Sequence, residues 1–310
     1  MKRSRLAITP AVFRWFAYAA FLSMIIIVLT GAAVRLTGSG LGCPDWPTCF
    51  HHQIAGSWRI HPLIEYANRM VTVTLVVLTG VTFVASLLRT PRRRDLTFLA
   101  GLLILGVIGD AILGAFVVYS KLNPWLVSTH MLLSLAMVVA SAILYHRSKY
   151  QYGPGTRSEV RSPQFRLVAR WLWLPFVILL FTGTTTTGSG PHAGSSMGQL
   201  TARRLPFAFA NAAWVHSVAA TLFVGIVVGI FVAVWHSQAP MALQKGVRRL
   251  VIIAAVQGLI GVTQYLTHVP ALLVELHVAG AVSLTIGVTQ FHLRQTAHDR
   301  EVGVAPSKTA

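Results

Sequence analysis

Apolar residues run in eight long blocks along this chain, at about 13–33, 66–88, 96–118, 125–145, 168–187, 212–235, 249–268 and 271–292. Each block is close to the roughly 20 residues that an α-helix needs to cross a bilayer. The first is too long to be the core of a cleaved signal peptide, and no small-residue cleavage site precedes the next polar stretch. The pattern predicts an all-α integral membrane protein with eight transmembrane helices.

Composition agrees. Only 11% of the 310 residues are charged and 54% are hydrophobic, against about 25% charged in an ordinary soluble domain. Eight acidic side chains are too few to clothe a soluble surface of this size.

The net charge of +18 invites a nucleic-acid reading, but its distribution argues against one. Lys and Arg gather in the N-terminal tail, at 89–95, at 146–170, at 245–249 and in the C-terminal tail, twenty in all and on alternate sides of the spans. The opposite side holds Arg35, Arg59, Arg69, Lys121, Arg203 and Arg204. Excess Lys and Arg mark cytoplasmic loops, which predicts cytoplasmic termini, a bacterial-type cell membrane location and some attraction to anionic membrane lipid. No nucleic-acid partner is expected.

The chain also repeats itself. Span 1 ends in Leu29-Thr30-Gly31 and runs on to Leu36-Thr37-Gly38-Ser39-Gly40; span 5 ends in Phe181-Thr182-Gly183 and runs on to Thr186-Thr187-Gly188-Ser189-Gly190. Asp110 precedes His130 by twenty residues, and Gln257 precedes His277 by the same interval. Short links with a proline, Asn123-Pro124 and Val269-Pro270, occupy matching places. The expected organisation is two tandem four-helix bundles related by a pseudo-twofold along the membrane normal, as parallel repeats are. They would comprise residues 1–150 and 168–295, with a cytoplasmic linker at 151–167 and a tail at 296–310.

Ionisable groups inside spans are costly and point to function. His130, His216 and His277 each lie four to six residues into a span that enters from the external side, which places them within about one helical turn in depth. A single such histidine would ordinarily make a helix–helix hydrogen bond. Three at one depth, repeated across the halves, point instead to imidazole ligands for heme iron, with His216 and His277 as a pair. Zinc fits less well, because the histidines are far apart in sequence and lack Cys or carboxylate company.

The first half departs from this scheme. The repeat places Asn68 where His216 stands, and an amide is a poor iron ligand. Glu65, Asn68 and Arg69 share one helical face; Glu65 serves either as an ion-pair partner of Arg69 or as a carboxylate reaching into the first-half pocket. Asp110 is expected to be neutral or paired, and Glu275 to stand behind His277. His51, His52 and His61 read as surface groups, with His61 near enough to replace the missing ligand. Cys43 and Cys49 lie in one external loop and form a candidate disulfide, either a loop staple or a redox pair.

Together these residues resemble the heme A synthase family over about residues 13–293. The carrying features are Arg35-Leu36-Thr37-Gly38-Ser39-Gly40-Leu41-Gly42-Cys43-Pro44-Asp45-Trp46-Pro47, the Glu65-x-x-Asn68-Arg69 segment, and His130, His216 and His277. The resemblance implies oxidation of the C8 methyl of heme O to the formyl of heme A, for cytochrome oxidase, by two hydroxylations and loss of water. It implies heme B on His216 and His277, substrate heme O on His130 with Asn68 and Arg69 in its pocket, a catalytic role for Glu65, and Cys43 with Cys49 as the external cysteine pair. Most of the family carries histidine where this chain has Asn68. A heme O synthase and an electron donor are expected partners, and the oligomeric state is open. The rival readings are a bis-histidine electron-transfer cytochrome and a heme carrier or assembly factor.

Overall fold

A computed structural model describes residues 7–49, 59–150, 163–195 and 202–294. Among these, nine helices follow in order: α1 Pro10–Leu36, α2 Ile60–Leu88, α3 Arg94–Tyr119, α4 Pro124–Ser148, α5 Pro163–Trp171, α6 Trp173–Ser189, α7 Phe209–His236, α8 Met241–Leu266 and α9 Ala271–Leu293. Helices α5 and α6 make one apolar segment, Gln164–Ser189, so eight segments are long and apolar enough to cross a membrane. Pro175 has no N–H to give the carbonyl four residues earlier, which interrupts the ladder where α5 meets α6.

The helices outrun the apolar blocks. A 26-residue helix such as α3 is about 39 Å long at 1.5 Å per residue, beyond the roughly 30 Å of hydrocarbon. The added turns carry polar residues that hydropathy rejects, among them His61 and Glu65 on α2 and Lys245 and Arg248 on α8. Helix α5 likewise begins inside the expected linker. It buries Phe165 and Ala169 while Arg166 and Arg170 face outward. Residues 151–162 and 296–310 lie outside the described residues.

In the first half α1 packs on α2 and α4, α2 on α3, and α3 on α4. In the second, α6 packs on α7, α7 on α8 and α8 on α9. The halves meet where α4 packs on α9 and α6, and α1 on α9. Phe13, Met24, Leu75, Leu103, Val107, Leu135 and Val138 fill one core, and Phe176, Phe223, Val227, Leu243, Val247, Val288 and Phe291 fill the other. Large apolar side chains such as Phe98, Leu105, Leu259 and Leu272 point outward, as a lipid-facing surface requires.

Two turns repeat down to the backbone. Lys121 and Leu122 after α3, and His268 and Val269 after α8, all have φ between 54° and 63°. Left-handed geometry costs a non-glycine residue about 1–2 kcal/mol. The same closing bond offsets it in both places: Leu122 N–H donates to the Val117 carbonyl at 2.9 Å, and Val269 N–H to Gln264 at 2.7 Å. Each helix begins two residues after its turn, α4 capped by the Asn123 side chain and α9 preceded by Pro270, so His130 and His277 are each the seventh residue of their helix.

At the same end of the bundle the loops after α1 and α6 interlock. Arg35 Nε donates to the His192 carbonyl and Nη2 to the Thr187 carbonyl, both at 2.8 Å. Gly40 N–H donates to the Gly194 carbonyl at 2.9 Å, beside an antiparallel bridge between Ser39 and Ser195. Gly194, at φ +103°, holds a conformation suited to glycine. This end also carries the Cys43–Cys49 disulfide.

Candidate functional site

In the second half, the His216 ring on α7 and the His277 ring on α9 face each other with centroids 6.3 Å apart and planes at 81°. A metal–imidazole bond of about 2 Å on each side, plus the half-widths of the rings, spans about 6 Å. The centroid separation thus matches that of two imidazoles sharing a single metal atom.

Both rings are positioned by the repeated sequence. Thr182 Oγ1 donates to the Leu179 carbonyl at 3.0 Å, so the His216 Nδ1 that lies 3.1 Å from it must be the donor in that contact. That tautomer leaves the Nε2 lone pair of His216 available to a metal. A side chain at Gly183 would put its Cβ 3.1 Å from His216 Cε1, and one at Gly261 would stand 3.1 Å from His277 Cε1. The two glycines are sockets for the rings. Gln257 on α8 donates to the His277 carbonyl at 2.8 Å, and His277 Nδ1 is buried with no protein partner among the described residues.

The first half has the same frame with different occupants. His130 on α4 places Nδ1 2.8 Å from Asp110 Oδ1 on α3. Asp110 Oδ2 accepts from Ser134 Oγ at 2.5 Å, whereas Oδ1 and His130 Nδ1 stand at ion-pair distance without hydrogen-bond geometry. Gly114 backs His130, with Cε1 3.6 Å from where a Cβ would stand. Across the repeat, Asp110 and Gly114 match Gln257 and Gly261. On α2, Asn68 Oδ1 accepts from Thr30 Oγ1 at 2.8 Å, just as His216 leans on Thr182.

One turn toward the disulfide end, Glu65 is buried at 5% exposure. Its Oε1 accepts from Arg69 Nη2 at 2.6 Å, and its Oε2 from the backbone N–H of Cys43 at 2.8 Å. Arg69 Nη1 donates to the carbonyls of Asp45 at 2.6 Å and Thr48 at 2.8 Å. The Arg69 ion pair is thus present, and it is also the clamp on the disulfide loop. His61 lies two helical turns from Asn68 and directs Nδ1 to Ser39 Oγ at 3.0 Å, so it does not stand in for the missing ligand. Glu275 Oε2 is buried without a protein partner among the described residues. His51 and His52 lie outside the described residues.

Sequence reasoning passed over Thr30, Thr182, Ser134 and the socket glycines. The Thr-Gly pair closing both span 1 and span 5 was the available signal, since a hydroxyl and a missing side chain recur there together. Ser134 gave none, because a serine four residues beyond a histidine in an apolar span is unremarkable.

Eight apolar spans with imidazole donors inside them make this a multi-pass helical membrane protein with a polar site buried in the bundle. The chain belongs to the cytochrome oxidase assembly protein family, whose profile matches residues 14–59 and 55–288. Among curated relatives, a heme A synthase from Lysinibacillus sphaericus is 32% identical over 132 residues, covering 42% of this chain and 43% of that protein. Heme A synthases from Bacillus cereus and Bacillus mycoides are 23% and 22% identical over 272 residues, covering 85% of this chain and 87% of each relative.

Proposed function

We propose that this protein is a heme A synthase that oxidises the C8 methyl of heme O to a formyl group through two hydroxylations and loss of water. The observation that carries the reading is the His216–His277 pair, whose 6.3 Å ring separation suits a single heme iron. On this reading these two residues would hold a resident heme B, which would supply one-electron chemistry when bound, and His130 would bind the substrate heme O.

The remaining tasks fall to the protein. Asp110 places a carboxylate 2.8 Å from His130 Nδ1, near enough to favour a cationic or metal-bound imidazole by its charge. Asn68 and Arg69 line the substrate pocket. Glu65 is the catalytic carboxylate, and its Oε2 is the atom we assign to take up a proton from the reacting carbon's substituent. Both termini lie in the cytoplasm, so both heme sites sit toward the external face of a cell membrane. The pseudo-twofold between residues 1–150 and 168–295 rests on the repeated turns, sockets and hydroxyl contacts. So apolar a substrate favours delivery from a heme O synthase within the membrane, and the two hydroxylations take their oxidant, with a separate electron donor, from outside the chain.

The test is to express the protein with a heme O source and separate the extracted hemes by chromatography. Heme A or its hydroxylated precursor is expected from the wild type, and neither from Glu65→Ala that retains heme B. Heme B with unaltered heme O in the wild type would favour an electron-transfer cytochrome or a heme carrier instead.

A further inference from the structure

The two halves offer an internal control for one position. In the second half, Thr182 bonds His216, and the imidazole covers Gly183 with Cε1 3.1 Å from a Cβ placed there. In the first half, Thr30 bonds Asn68 at 2.8 Å, and nothing lies within 4 Å of the corresponding point at Gly31. The hydroxyl anchor and the socket glycine are both present, but the ring that would fill the socket is not. Asn68 uses Oδ1 on Thr30, and its Nδ2 has no protein partner among the described residues. An amide held by its oxygen presents its N–H2 group as a fixed donor. The imidazole of this half also has a different neighbour: His130 Nδ1 lies 2.8 Å from the Asp110 carboxylate, whereas Gln257, in the matching place, is neutral and donates to a backbone carbonyl.

We infer that the Asn68–Gly31 socket is a binding site for a small exogenous ligand of the first-half heme iron, with Asn68 Nδ2 as its hydrogen-bond donor and His130 as the sole protein ligand. The inference rests on the reading of the first half as a heme site. The ligand class is a compact donor no larger than imidazole: a diatomic such as carbon monoxide, or cyanide. An anionic or polar diatomic gains from the amide, and an apolar one does not.

The test uses the full-length protein in detergent, titrated with heme O, with optical and electron paramagnetic resonance spectra as readouts. Wild type is expected to show one low-spin heme that depends on His216 and His277. It is also expected to show a second, high-spin heme that binds carbon monoxide when reduced and cyanide when oxidised. Asn68→His should convert that second heme to low spin and abolish carbon monoxide binding, with the His216/His277 signal unchanged as the control for folding. Asn68→Leu should keep carbon monoxide binding but weaken cyanide about tenfold, the scale of one hydrogen bond to a charged group. A first-half heme already low-spin in the wild type and closed to carbon monoxide would overturn this inference and leave the proposed function standing. A protein that takes up no second heme at all would instead overturn the first-half heme reading.

Discussion

The backbone N–H of Cys43 donates to Glu65 Oε2 across 2.8 Å, so the disulfide loop and the buried carboxylate of α2 form one hydrogen-bonded unit. Arg69 completes it, binding Glu65 on one side and the loop carbonyls of Asp45 and Thr48 on the other. Neither the loop nor the carboxylate can move independently of the other.

Opening the Cys43–Cys49 bond should therefore act on Glu65. The loop closes over a sequence separation of 6, and chain-entropy arguments give about 2 kcal/mol for so short a ring. Cys43→Ser with Cys49→Ser is expected to lower the thermal midpoint in detergent and to reduce heme A formation, while the His216/His277 spectrum persists. Unchanged turnover in this double variant would show that the carboxylate does not depend on the loop.

Glu65→Ala leaves Arg69, whose side chain is 11% exposed, without its carboxylate. Breaking a buried pair on one side typically costs about 3 kcal/mol. Adding Arg69→Leu to that variant should recover part of the stability and none of the product, as thermal unfolding and heme extraction would report.

The Thr182–His216 contact predicts a loss of heme rather than of fold. Thr182→Val removes the acceptor that sets the His216 tautomer and should weaken heme B retention about 10- to 100-fold, the range for lost partners of metal ligands. Thr182→Ser should restore it. Retention during dialysis against a heme scavenger measures the difference.

The glycine sockets give a matched pair of substitutions. Gly183→Ala would place a methyl 3.1 Å from His216 Cε1, tilting the ring and diminishing the low-spin signal. Gly31→Ala meets nothing within 4 Å and should leave that signal and the thermal midpoint unchanged. His216→Ala or His277→Ala is expected to abolish the signal that His130→Ala preserves.

The eight spans were legible because lipid demands long apolar runs, and the three histidines stood out against them. Helix ends were not, since α2 begins at Ile60 and α8 at Met241, in polar turns that project past the hydrocarbon. The Asn68 position followed from the repeat, but its bond to Thr30 required two helices to be placed side by side. The Arg35 clamp was hidden for a different reason. Its partners are the backbone carbonyls of Thr187 and His192, and a carbonyl is present at every residue, so no pattern of side chains announces it. The Asp110–Ser134 contact likewise depends on the packing of α3 against α4.

Thr30 and Gly31 bear on how such a site changes over generations. Codons for asparagine and histidine differ at a single base, so the one-imidazole and two-imidazole forms of this half are neighbours in genetic terms. A lineage could pass between them without rebuilding the bundle, because the hydroxyl that would anchor the ring and the gap that would receive it are already in place. Under the proposed function, one copy of the duplicated scaffold keeps a permanent ligand pair while the other is free to trade a ligand for an opening.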